Sequence, residues 1–157
     1  MRSVIFVKKV SMTVYKGAYS ISTDKEQLDI PYIHAFLARS YWAENIPVET
    51  VRKSVDGAVC FGVYEGARQV GFARVITDQA TFGYLADVFI DEAYRGRGLS
   101  KWLMETIMAH PGLQGLRHFM LATRDAHGLY AQYGFAVASN PDRLMNILKP
   151  DLYKQIH

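Results

Sequence analysis

The chain has 157 residues, 50% of them hydrophobic and 21% charged, with 18 lysines and arginines against 15 acidic residues for a net charge of +3. That length makes a single domain able to bury a core, and the composition is that of a soluble globular protein, not a disordered or fibrous one. The one cysteine, Cys60, excludes an intrachain disulfide; no cysteine–histidine cluster has metal spacing, so no metal is expected, and the compartment expected is the reducing cytoplasm.

Residues 1–18 hold the apolar run Val4-Ile5-Phe6-Val7 followed by Lys8-Lys9. The run is too short for a membrane span or a signal core, and its charges follow instead of preceding it. Met12 is an alternative start, so the predicted fold begins at about Tyr19. Tyr19–Thr23 alternates as a strand, with Asp24 as a cap. Ile30–Ala38 reads as a helix with Ile33, Phe36 and Leu37 on one face and Pro31 in the first turn. Pro47 opens a second helix through Val55, ended by Asp56-Gly57. Strands follow at Val59–Tyr64, at Val70–Ile76 after a Glu65–Arg68 hairpin loop, and at Thr81–Ile90. A helix from Leu99 stops at Pro111-Gly112. Phe119–Ala122 reads as a buried strand, then comes a short helix at Tyr130, and strands are predicted at Phe135–Val137 and Met145–Leu148. This order predicts an α/β protein with a single sheet of mixed sense.

The segment Tyr94-Arg95-Gly96-Arg97-Gly98-Leu99-Ser100-Lys101 stands between an apolar strand and an amphipathic helix whose face repeats at Leu99, Leu103 and Ile107. Unpartnered backbone N–H groups and the positive end of the helix dipole meet there. Gly96 and Gly98 let a ligand approach the backbone, and Arg95, Arg97 and Lys101 add positive charge, which suits a pyrophosphate. The turn lacks the Gly-x-x-x-x-Gly-Lys-Ser/Thr of a P-loop, and Lys101 occupies the third glycine position of a dinucleotide fingerprint. An ordinary strand-to-helix turn with solvated arginines is the bland alternative.

The remaining pattern, Arg/Gln-x-x-Gly-x-Gly/Ala, is met at Arg95 and Gly98, with Ser100 at the last position, and resembles the acyl-CoA cradle of the GNAT superfamily of N-acetyltransferases. Leu129-Tyr130-Ala131-Gln132-Tyr133-Gly134-Phe135 looks like the second signature of the same superfamily. The resemblance covers about Ser20 to Lys149. It implies the GNAT fold, a mixed sheet flanked by helices, in one domain over residues 19–157, with residues 1–18 as an N-terminal extension. It implies acetyl-CoA as co-substrate, an amine as acceptor, and cofactor contacts along Arg95–Lys101 (Arg95, Gly96, Arg97, Gly98, Leu99, Ser100 and Lys101). It also implies contacts from the backbone of Val88, Phe89 and Ile90, where a bulge splays two strands apart. Tyr130 takes the family position beside the cofactor sulfur, and Thr123 stands where the family often has an asparagine that touches the cofactor.

A phenol with a pKa near about 10 keeps its proton at neutral pH, so Tyr130 is the expected general acid for the departing thiolate. Asp87 is the only carboxylate in its apolar strand: it is a candidate base or ammonium ligand, or else an ion-pair partner of Arg74. His127 is a rival base on the Tyr130 helix, and Asp125 is its expected cap. Tyr41 and Trp42, after the first helix, are candidate acceptor-pocket residues, as is Arg74; a hydrophobic helix end is the alternative for the aromatic pair. The leading expectation is an N-acetyltransferase acting by direct attack in a ternary complex; a non-catalytic acyl-CoA-binding module is the alternative. No nucleic-acid or membrane partner is expected, and a homodimer is left open.

Overall fold

Alternation along the strands sorts their side chains onto two faces, and each face recruits its own helices. The computed structural model describes residues 10–154; the run Val4–Lys9 lies outside them. The strands are β1 (Thr13–Lys16), β2 (Tyr19–Ser22), β3 (Val59–Glu65), β4 (Arg68–Thr77), β5 (Phe82–Ile90) and β6 (His118–Leu121). They form one sheet in chain order, antiparallel from β1 through β5, with β6 joined parallel to β5. The helices are α1 (Ile30–Ala38), α2 (Val48–Asp56), α3 (Leu99–Ala109) and α4 (His127–Ala131).

Cys60, Phe72 and Phe89 point to the α1–α2 layer, where they meet Ile33, Phe36, Leu37, Val51 and Val55. The alternate residues Phe61, Ala73 and Ile90 face α3 and pack with Leu103, Met104 and Ile107. This is the period of two that a strand imposes, used to fill two cores from one sheet. Phe36 stacks on Phe89 with ring centroids 3.7 Å apart, fixing α1 over the far end of β5. Asp29 caps α1 by accepting from the Tyr32 N–H at 3.0 Å, with Pro31 in the first turn, where its missing N–H costs nothing. No helix among the described residues is long and apolar enough to cross a membrane.

Four expectations change. The sheet starts before Tyr19, because Thr13–Lys16 forms β1 against β2. β6 is an edge strand and is half-buried, since it covers one neighbour only. Phe135–Val137 and Met145–Leu148 form no strands: their β-favouring side chains find no backbone partner, and a strand exists only by pairing. Asp125 does not cap α4; the hydroxyl of Thr123 accepts from the Ala126 N–H at 3.0 Å, and Asp125 instead faces Arg124 at 3.7 Å.

Candidate active site

The site begins with an irregularity in β5. Phe72 faces Phe89 and Arg74 faces Ala86, so Asp87 and Val88 together oppose Ala73. This is a β-bulge. Asp87 sits in it at φ +56°, a left-handed conformation that aspartate tolerates better than most side chains. Its carboxylate accepts from Arg74 Nε at 2.5 Å and from Trp42 Nε1 at 2.9 Å. β4 and the loop after α1 therefore both grip the bulge. Of the two readings of Asp87, the pairing with Arg74 is present.

Pairing between β5 and β6 runs from Phe82 opposite His118 to Leu85 opposite Leu121 and stops there. Beyond it Ala86–Ile90 have β4 on one side and no strand on the other, so backbone groups are free to meet an extended ligand. Side chains leave Val88 half-buried toward the α3 layer and Phe89 buried toward α1, so only their backbone faces the gap.

The gap leads to the glycine-rich turn. Asp91 orders its start, accepting from the Ala93 N–H at 3.0 Å and from the Tyr32 hydroxyl at 3.2 Å. Burial, then the neighbouring Asp91, holds the Tyr32 phenol well above its ordinary pKa, so it stays a donor. Gly96 and Gly98 lie at φ +79° and +77°, and a Cβ on either would meet nothing within 4 Å. Gly98 is the N-cap of α3 and offers no side-chain cap, which leaves the first N–H groups of the helix free. An open backbone surface at a helix N-terminus fits a pyrophosphate.

The arginines of the turn are tied to the scaffold. Arg95 Nε donates to the Ile90 carbonyl at 3.1 Å, closing the turn onto β5. Arg97 donates to the Tyr19 hydroxyl at 2.7 Å and lies over the Tyr94 ring at 4.8 Å, near Glu65. Leu99 is buried in the α3 core, so only its N–H is on offer; Ser100 is half-buried and Lys101 exposed.

Tyr130 lines a cavity together with Ala86, Asp87 and Val88 of the open half of β5. Tyr133, on the turn after α4, donates its hydroxyl to the Lys101 carbonyl at 3.1 Å and so fastens α4 to the first turn of α3. Gly134 at φ +93° reverses the chain, and the Phe135 N–H returns to the Tyr130 carbonyl at 3.3 Å. Burial, and secondarily Tyr41 nearby, raises the Tyr130 pKa. Among the described residues its hydroxyl has no hydrogen-bond partner.

A cavity of about 540 Å³ brings together Tyr41, Trp42, Arg74, Asp87, Val88, Thr123 and Tyr130, all expected site residues. Sequence reasoning missed Tyr84, Arg124 and Tyr153, which also line it. The Arg124 guanidinium lies 3.9 Å from the centre of the Tyr41 ring. A basic residue beside Thr123 was the only signal for Arg124, and nothing in the pattern pointed to Tyr153. His127 is exposed and lines a different, larger cavity that Tyr130 also borders.

A family model described as the acetyltransferase (GNAT) domain matches residues 56–137. A Gibberella zeae protein assigned as an acetyltransferase is 32% identical over 140 residues, spanning 74% of this chain and 78% of that one. The crystal structure of a Xanthomonas campestris protein assigned to the GNAT family superposes with a TM-score of 0.86 at 52% identity, covering 87% of this chain and 97% of that one. A Clostridium acetobutylicum acetyltransferase solved with acetyl-CoA shares the fold, with a TM-score of 0.60 at 14% identity over 88% of this chain and 98% of its own.

Proposed function

The chain belongs to the GNAT acetyltransferase family and is an acyltransferase, and we propose that it moves an acetyl group from acetyl-CoA to a primary amine by direct attack in a ternary complex. The observation that carries this reading is the parting of β5 from β6 after Leu85 and Leu121, on the strand that runs on into the glycine-rich turn and the free N-terminus of α3, with Tyr130 lining the cavity beside its open half. Gly96, Gly98 and the N–H groups of Leu99, Ser100 and Lys101 hold the pyrophosphate, and the backbone of Val88, Phe89 and Ile90 receives the extended arm. Arg95 and Arg97 act by holding the turn in shape.

Acetyl-CoA supplies an acetyl group already activated as a thioester. The chain then has two protons to manage. Tyr130 gives its proton to the departing sulfur; its raised pKa keeps that proton in place at neutral pH. The amine arrives as an ammonium, with a pKa of about 10.4 for an alkyl amine, and must lose a proton to attack. Asp87 accepts a hydrogen bond from it at the lone-pair positions that Arg74 and Trp42 leave free, and the proton passes to water at the pocket mouth. A backbone N–H at the bulge polarises the carbonyl oxygen as charge builds on it. Direct attack also agrees with the state of Cys60. It is buried in the α1–α2 core, and burial pushes its thiol up to about 11, so it is no nucleophile.

The test is thermal unfolding with acetyl-CoA, ATP and NAD in separate samples, followed by thiol release over a panel of amines. At 100 times its dissociation constant acetyl-CoA stabilises by about 2.7 kcal/mol, roughly 5–10 °C here. The expected result is a shift with acetyl-CoA alone and amine-dependent thiol release. A cooperatively folded sample with no shift overturns the reading.

A further inference from the structure

The cavity that Tyr130 shares with Asp87 holds more charge than a bare amine needs. Arg74, Asp87, Arg124 and Asp125 all line it, two groups of each sign. Arg124 and Asp125 are mostly exposed and lie 3.7 Å apart, with the Arg124 guanidinium over the Tyr41 ring. Arg74 and Asp87 are the enclosed pair, their side chains 16% and 9% exposed. Tyr41, Trp42, Tyr84 and Tyr153 add uncharged aromatic surface.

Only part of the Arg74 guanidinium is engaged. Its Nε donates to one Asp87 oxygen, and Trp42 Nε1 donates to the other. The outer nitrogens of Arg74 have no hydrogen-bond partner among the described residues, yet they are not sealed in: the one enclosed side-chain polar atom without a partner there is the Tyr64 hydroxyl. Arg74 pairs across the strands with Ala86, which puts its side chain on the same face of the sheet as Tyr84. The unused N–H donors of a planar fork thus open into the cavity, beside a carboxylate that keeps an acceptor position on each oxygen.

We propose that the acceptor is an amino acid bound as its zwitterion, with its ammonium on Asp87 and its carboxylate on the outer nitrogens of Arg74. The inference rests on the acetyltransferase reading and narrows its substrate. An amine without an anion is poorly matched: Arg74 already balances Asp87, so a further cation leaves the enclosed pair with excess positive charge. A zwitterion adds no net charge and finds a partner for both ends. Arginine's fork meets a carboxylate at two points, and it adjoins Asp87, so few bonds separate the amine from the carboxylate. In the transfer the amine, having lost one proton to water, bonds to the acetyl carbon as the carbon–sulfur bond breaks. Tyr130 protonates the sulfur and recovers a proton from the nitrogen through water. The products are an N-acetyl amino acid, the free thiol and the one released proton.

The test is thiol release from acetyl-CoA by the full chain with matched acceptors: alanine and β-alanine against ethylamine, leucine against 3-methylbutylamine, phenylalanine against phenethylamine. The expected kcat/KM is about 10²-fold higher for the amino acid than for its matched amine. Arg74→Gln keeps a donor for Asp87 and removes the charge and the fork; it is expected to abolish the preference, chiefly by raising KM for the amino acid. Arg74→Lys, which keeps the charge and loses the fork, is expected to retain part of it. The acetyl-CoA thermal shift of each variant checks that fold and cofactor site persist, and the preference of the parent needs no variant. Amines accepted as well as the amino acids overturn the proposal and leave the acetyltransferase reading in place. No thiol release from any acceptor, with acetyl-CoA bound, overturns both. A preference that survives Arg74→Gln overturns the assignment of the carboxylate to Arg74 and the proposal with it.

Discussion

The two halves of β5 differ more from each other than from their neighbours. Gly83–Leu85 is paired on both sides, by β4 and by β6, and Leu85 is 3% exposed. Ala86–Ile90 is paired on one side only, carries the bulge, and holds a non-glycine residue at positive φ. The first half stabilises the sheet. The second gives up a partner strand and regular geometry, and so leaves backbone groups and a gap for a ligand. Strain and missing pairing gather where chemistry is expected, and the closed half bears their cost.

This contrast is open to direct attack. The largest effect is expected in the open half. Tyr130→Phe should lower kcat by about 10²–10⁴-fold, with acetyl-CoA affinity by calorimetry within a few-fold of the parent. Equal turnover would remove the phenol from the mechanism. In the closed half, Val75 is fully buried and pairs with Leu85. Val75→Ala should cost about 2 kcal/mol in urea unfolding and leave kcat of the folded enzyme unchanged; a large loss of kcat would mean the halves are not separable. Gly98→Ala places a side chain at φ +77° on the open face of the turn. It should cost about 1–2 kcal/mol of stability by strain and weaken acetyl-CoA several-fold, read by calorimetry.

The smallest effect concerns pH and lies at the end of α3. His110 Nδ1 accepts from the Gly112 N–H at 3.0 Å, and burial lowers the His110 pKa. The unfolded chain, with a histidine pKa near about 6.5, binds this proton more readily than the fold does. The contribution is therefore complete above that value and is lost as pH falls below it. Between pH 7.5 and 5.5 the parent should lose more stability in urea than His110→Asn does. Parallel slopes would show that this histidine carries no such linkage.

Local grammar made much of the fold legible. α1 runs over the predicted Ile30–Ala38 because the Asp29 cap, Pro31 in the first turn and one apolar face all lie within nine residues of each other. The turn at Gly96 and Gly98, the helix after it and the left-handed Gly134 were readable for the same reason: each conformation is set by its own residues. The grip of Trp42 and Arg74 on Asp87 was not fully readable. Trp42 lies 45 residues away in sequence, and only the packing of α1 on Phe89 brings its loop over the bulge. Asp125 looked like a cap, yet α4 starts from its N-cap Ala126 with no side-chain cap, and the turn before it is closed by the Thr123 hydroxyl, which accepts from the Ala126 N–H.

By itself the sequence determined the helices, the hairpins, the two faces of the sheet and the glycine-rich turn before α3, because these follow from periodicity, capping and backbone freedom within a few residues. Only the tertiary structure decided where β5 parts from β6, which side chains meet around Asp87 and Tyr130, and whether Phe135–Val137 and Met145–Leu148 become strands. The physical reason is the same in each case. A helix satisfies its hydrogen bonds within itself, whereas a strand, a bulge or a pocket depends on what another part of the chain places beside it.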